Sequence, residues 1–127
     1  MTWLARCLMC LALIAASAPP GAAASCLSEG ATVTLSGVVS LAKARNVHNG
    51  RLYTYPLLTL DKPLCYRNAA MGDVPETHHV TIVPDDRAPP FRDMAGRHVT
   101  VRGTLMHSST MDQPPQALLL FRPTLAR

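Results

Sequence analysis

The chain has 127 residues, 48% of them apolar and 16% charged, with a formal net charge of +4. That length holds one domain, and a nucleotide-binding α/β enzyme built from several βαβ units does not fit in it. Much of the apolar content sits in residues 1–24, so the remainder has the composition of an ordinary small globular domain, neither membrane-spanning nor disordered.

Residues 1–24 read as a secretory signal peptide. Arg6 supplies the positive charge near the start, residues 8–16 (LMCLALIAA) the apolar core, and Pro19-Pro20-Gly21 a helix break before Ala22-Ala23-Ala24 and a cut ahead of Ser25. The apolar run is too short for a bilayer, which takes about 20 residues, and no second long run follows. We therefore expect a periplasmic or secreted protein with no transmembrane segment and a single domain over residues 25–127. Lipoprotein processing at Cys26 is the alternative, although Ala23 stands three positions before it, where such sites usually carry leucine. Cleavage after Ala24 removes Cys7 and Cys10 and leaves Cys26 and Cys65. An even count in an exported chain argues for one disulfide. A metal site or a catalytic thiol is the sharper alternative, but neither cysteine lies in a C-x-x-C or beside a histidine.

Residues 32–41 (TVTLSGVVSL) alternate, with Val33, Leu35, Gly37, Val39 and Leu41 on one face; this predicts a half-buried strand, and a glycine inside it suggests a bulge or sharp bend. A polar loop over residues 42–52 follows, with a turn at Asn49-Gly50. A second strand covers residues 53–60 (YTYPLLTL), where Pro56 argues for an edge position or a bulge. Asp61-Lys62-Pro63 is expected to turn the chain and deliver Cys65, residues 66–77 to form a loop, and residues 78–83 (HHVTIV) a third strand. In residues 84–96, Phe91, Met94 and Ala95 fall at i, i+3 and i+4, predicting a short helix stopped by Gly96. The fourth strand, residues 97–107, alternates again around Val99, Val101, Gly103 and Leu105. A proline-rich loop over residues 108–116 leads to a last strand, residues 117–121, ended by Pro123.

Three strands, a short helix and two strands is the element order of a five-stranded Greek-key OB barrel, an all-β fold with one helix between the third and fourth strands. Glycines inside the first and fourth strands suit the coiling of a small closed barrel, and a generic antiparallel sandwich is the competing fold.

Cys26 followed by V-T-L-S-G at residues 33–37, L-T-L-D-K-P-L-C at residues 58–65, and a late G-x-x-V-x-V-x-G-T-L at residues 96–105 form an ordered set. On these motifs, which span essentially the whole chain after the leader, it resembles a family of small exported bacterial domains of uncharacterised function with an OB-like fold. The resemblance implies export, a barrel and a disulfide joining the two cysteines, and no activity. Such domains often carry histidines in the loop after the fourth strand; only His107 is present here.

No catalytic set assembles. Asp85-Asp86, the one tight carboxylate pair, is best placed to favour a helix N-terminus, and Ser108-Ser109-Thr110 beside His107 lacks the G-x-S-x-G of a nucleophile elbow. Of the five histidines, His78 and His79 are adjacent on a strand and so point to opposite faces, while His48, His98 and His107 lie in separate elements. We expect no metal site, no cofactor and no enzymatic activity. The arginines are scattered along the chain rather than clustered, which argues against a nucleic-acid partner.

OB barrels bind across the face of strands two and three and the flanking loops. Here that region offers His48, Arg51, Tyr53 and Tyr55, aromatic and arginine side chains of the kind enriched in binding hot spots. The two tyrosines, two residues apart, would equally fit a core-facing position with their hydroxyls at its rim. His107 completes the candidate binding residues, and residues 112–116 form a second candidate surface. These features lead us to expect a monomeric, non-enzymatic envelope binding module whose ligand is a periplasmic protein, for instance as an inhibitor or immunity protein. The alternative is a periplasmic domain that binds a small ligand or metal.

Overall fold

The computed structural model describes residues 26–68, 70, 72–108 and 116–126; the leader expected over residues 1–24 and most of the proline-rich loop lie outside them. The strands are β1 (Leu27–Ser28), β2 (Thr32–Arg45), β3 (Leu52–Arg67), β4 (Val74–Val83), β5 (His98–His107) and β6 (Leu118–Leu125), with one 3-10 turn, Phe91–Met94, between β4 and β5. They form one sheet in the order β1-β3-β2-β5-β6-β4, closed by a β3–β4 pairing. Five strands, β2 to β6, thus make a closed barrel. Its pairings are antiparallel except β4–β6, and the two-residue β1 lies parallel on the outside of β3. Strand order, the parallel closing pair and the position of the 3-10 turn are those of an OB-like barrel.

Alternation sorts the side chains. Val33, Val39, Val101 and Leu105 of β2 and β5 join Leu58, Ile82 and Leu120 in one interior cluster. Gly37 and Gly103 break the inward rows because there is no room for anything larger. A Cβ on Gly37 would collide with the Thr59 carbonyl of β3, and one on Gly103 would stand 2.7 Å from the Phe121 carbonyl oxygen of β6. The two in-strand glycines therefore mark the points where neighbouring backbones close the barrel.

Several elements differ from the sequence-based expectation, each for a local reason. Asp61-Lys62-Pro63 does not end a strand. β3 runs on to Arg67 and absorbs these residues as an irregularity, with five steps from Thr59 to Leu64 set against two from His79 to Thr77 on β4. Pro63 lacks an N–H, so it is tolerated where the ladder is interrupted. β4 correspondingly begins at Val74 rather than at residue 78. Pro123 does not end β6 either: Arg122 takes φ 51° and one extra residue enters β6 between the Arg102 and Thr104 pairings, a bulge facing Gly103. The predicted helix is a single 3-10 turn, in which residues three apart align. Phe91 and Met94 plug the barrel interior while Ala95 is exposed.

Cys26 and Cys65 are joined, with Cα atoms 4.6 Å apart. The bond fixes β1 to the end of β3, where Leu27 pairs with Tyr66. The Cys26 sulfur that lipoprotein processing would modify is the one bonded to Cys65. Disulfides persist in oxidising compartments. Among the described residues no helix is long and apolar enough to cross a membrane.

Tyr66 is fully buried, its hydroxyl accepting from Asn68 Nδ2 at 3.2 Å, and Asn68 also donates to the Glu29 carboxylate. Burial raises the phenol pKa above 10.0 and the nearby Glu29 charge adds to this, while the Asn68 hydrogen bond opposes it. The unfolded chain therefore ionises this tyrosine first, so stability is intact below pH ~10 and falls as pH rises beyond it. Tyr66→Phe should flatten that alkaline decline, as read from urea midpoints measured on both proteins across pH 9 to 11.

A second buried group lies on the outward face. Leu57, Thr81 and Leu119 stand side by side across β3, β4 and β6, opposite in facing to Leu58, Val80 and Leu120, yet all three are buried. The Thr81 hydroxyl has no hydrogen-bond partner among the described residues. An unsatisfied buried hydroxyl costs about 1–3 kcal/mol. Thr81→Val keeps the branched shape and removes the polar atom, so its expected result is a higher melting temperature.

Candidate binding surface

β2 and β3 pair continuously from Gly37–Leu60 to Arg45–Leu52. Their outer partners stop sooner: β5 leaves β2 at Val38, and β4 leaves β3 at Leu57. What lies beyond is a two-stranded ribbon that overruns the barrel wall. Its turn is held by Asn46, whose Oδ1 accepts from the amides of His48 (2.8 Å) and Asn49 (3.2 Å), while Gly50 adopts φ 68°. The Arg45 guanidinium closes the turn by donating to the Gly50 carbonyl at 2.6 Å.

The ribbon is anchored at its base on both sides. Val39 donates to the Arg97 carbonyl (3.0 Å) and accepts from the Gly96 amide (2.7 Å). Arg92, on the 3-10 turn, donates to both Thr54 Oγ1 and the Thr54 carbonyl at 2.8 Å. These bonds also explain Pro56. Because Val39 directs its amide and carbonyl away from β3, Val39–Leu58 is a non-hydrogen-bonded pair, and so is Leu41–Pro56 two residues further along. The nitrogen of Pro56 thus faces the side where β4 has already ended, the locally exposed edge that the sequence calls for.

The ribbon displays an unusual surface for so small a domain. Leu41, Val47 and Leu52 are 43%, 62% and 65% exposed. Lys43, Arg45 and Arg51 are exposed beside them, and no acidic residue occurs between Glu29 and Asp61. Lys43, Leu52, Tyr53 and Thr54 line a shallow groove of about 330 Å³. A larger open groove, about 460 Å³, lies on the barrel wall between β2 and β3, lined in part by Ser36, Asp61 and Lys62.

Of the sequence-predicted binding residues, four come together: His48 and Arg51 in the turn, Tyr53 and Tyr55 on the ribbon, the two rings 6.0 Å apart. The tyrosines do not face the core. They share the outward face with Leu57, where Tyr55 is buried and Tyr53 half-buried. His107 does not join them. It ends β5 at the opposite end of the barrel, with Nδ1 2.7 Å from the Ser108 carbonyl and its ring 6.1 Å from that of Tyr66. Lys43, Arg45 and Leu52 escaped the sequence reading, although the acid-free stretch around them was visible in it.

The remaining polar clusters have structural roles. Asp85 closes a turn, its Oδ1 accepting from the Arg87 amide at 3.0 Å, rather than leading a helix. His98 Nε2 lies 2.6 Å from Asp61 Oδ2, a clip between β5 and β3 across β2, and His78 is 3.6 Å from Glu76. Among the described residues no group of three or more His, Cys, Asp or Glu side chains is placed to hold a metal ion. Compared with known proteins, the chain stands apart: no family model, no curated protein and no solved structure matches it.

Proposed function

We propose that this chain is an exported, non-enzymatic binding module of the bacterial envelope whose ligand is a periplasmic protein, taken on the β2–β3 ribbon. Inhibition of, or immunity to, a wall-degrading hydrolase is one form such a role takes. The observation that carries the reading is the ribbon itself, a protruding arm with exposed Leu41, Val47 and Leu52 and no charge other than positive. Exposed leucine and valine beside Lys43, Arg45, Arg51 and Tyr53 give this arm the mixture of apolar, aromatic and arginine side chains that binding surfaces favour. The apolar leader and the Cys26–Cys65 bond support the compartment.

Brief crosslinking followed by capture from the envelope fraction tests this. A stoichiometric protein partner is expected with the native chain, and Leu52→Asp or Arg51→Glu should weaken its binding about 30-fold, the loss typical of a hot-spot residue. Capture that is unchanged by both substitutions would remove the ribbon from the interface, and an empty lane with folded bait would remove the protein ligand.

A further inference from the structure

The ribbon has an edge as well as faces. Beyond Val39, whose backbone is bonded to Gly96 and Arg97, the chain turns away at Gly96 (φ 85°), leaving the outer side of β2 uncovered over residues 41–45. Backbone groups alternate along a strand. Ala42 and Ala44 face β3 opposite Tyr55 and Tyr53, whereas Leu41, Lys43 and Arg45 direct their amides and carbonyls outward. Exposed edges of this kind are templates for another strand.

From this geometry we infer that the partner binds by adding an extended acidic strand to the β2 edge at residues 41–45, a proposal that rests on the ribbon being the docking surface. The side chains choose the occupant. Leu41, Lys43 and Arg45 lie on one face at every second position, so an added strand sets three of its own alternate residues against them. Added antiparallel, the complementary strand reads two acidic residues and then one apolar residue from its N-terminus, each separated by a single residue. A second copy of this edge is disfavoured, since it would bring cations against cations. No carboxylate occurs within the ribbon, the flanking ones in sequence being Glu29 and Asp61, and the Arg45 guanidinium keeps further donors beside the one it gives to the Gly50 carbonyl.

The test uses the disulfide-bonded protein and two blocked peptides, TETETVT and its counterpart TKTKTVT, with amide hydrogen exchange followed residue by residue. Saturation with the acidic peptide should slow exchange at Leu41 and Lys43 by about tenfold or more while leaving Ala42 and Ala44 unchanged, because the latter amides are already bonded to β3. The basic peptide should change none of them. Lys43→Pro, which deletes an outward amide and no bond to β3, should abolish binding of the acidic peptide, whereas Lys43→Ala should weaken it only a few-fold. Equal protection at both parities, no protection at millimolar peptide, or equal binding by Lys43→Pro and Lys43→Ala overturns strand addition. If Leu52→Asp or Arg51→Glu still weakens partner capture, the ribbon stands as the docking surface and only the edge inference falls. If capture ignores both substitutions, both fall together.

Discussion

Cys65→Ser should lower the stability of the domain by about 4 kcal/mol, the chain-entropy value for a loop closed across a sequence separation of 39. For a domain of this size that is a fall in melting temperature of roughly 15–25 °C. The bond acts on both ends of its loop. Without it, β1 has only its two-residue parallel pairing to β3, and the Gly30 and Leu105 backbone bonds that follow are left to hold the N-terminal segment against β5. Thermal unfolding of Cys65→Ser beside the native protein, with the latter also measured in reductant, checks this. The two treatments should agree, since both remove the same constraint. A melting temperature unchanged in either would show that strand pairing alone secures the segment.

Gly37→Ala should cost about 3 kcal/mol or more. The atoms in the way are the carbonyl group of Thr59 and, at 3.0 Å, the Leu60 Cα. These are backbone atoms of the adjacent β3, so no rotamer change relieves the clash; β2 and β3 must separate at the point where the barrel is tightest. Gly50→Ala is the natural control. A Cβ there meets nothing within 4 Å, and its only penalty is the positive φ of 68°, on the order of 1 kcal/mol. Denaturant unfolding of the two variants should therefore rank them clearly, Gly37→Ala far the weaker. Equal loss would mean that the strands slide apart there at little cost.

The sequence carries β2 and β5 plainly, because each has one buried and one exposed face and the alternation survives intact across Val33–Val39 and Val99–Leu105. The barrel follows from element order together with the two in-strand glycines. What is hidden is hidden by proline. Pro63 and Pro123 both look like strand ends, and both sit within strands at positions where the ladder has slipped and no donor is needed. A register shift is a relation between two strands, so no single stretch of residues reports it. The short helix expected at Phe91 and Met94 is present as a single 3-10 turn, since residues three apart satisfy both helical geometries and only the exposure of Ala95 separates them. The candidate surface was half legible. Tyr53, Arg51 and the turn residues were apparent from composition, but the edge at Leu41 and Lys43 exists only because β5 and β4 stop short of the ribbon. His107 ends its strand ahead of the proline-rich loop, with its ring tilted 40° against that of Tyr66 rather than turned toward the ribbon.

The parallel pairing of β4 with β6 also orders events in time. β6 contributes Leu118 and Leu120 to the interior, and it alone joins β4 to β5. Until it has emerged from the ribosome, the earlier strands form a sheet with two unsatisfied margins and a core open along one side. Contacts so distant along the chain form slowly, in milliseconds to seconds for all-β domains of this kind. Folding is thus deferred until β6 is available, leaving an interval in which the polypeptide stays threadable by any machinery that passes extended chains.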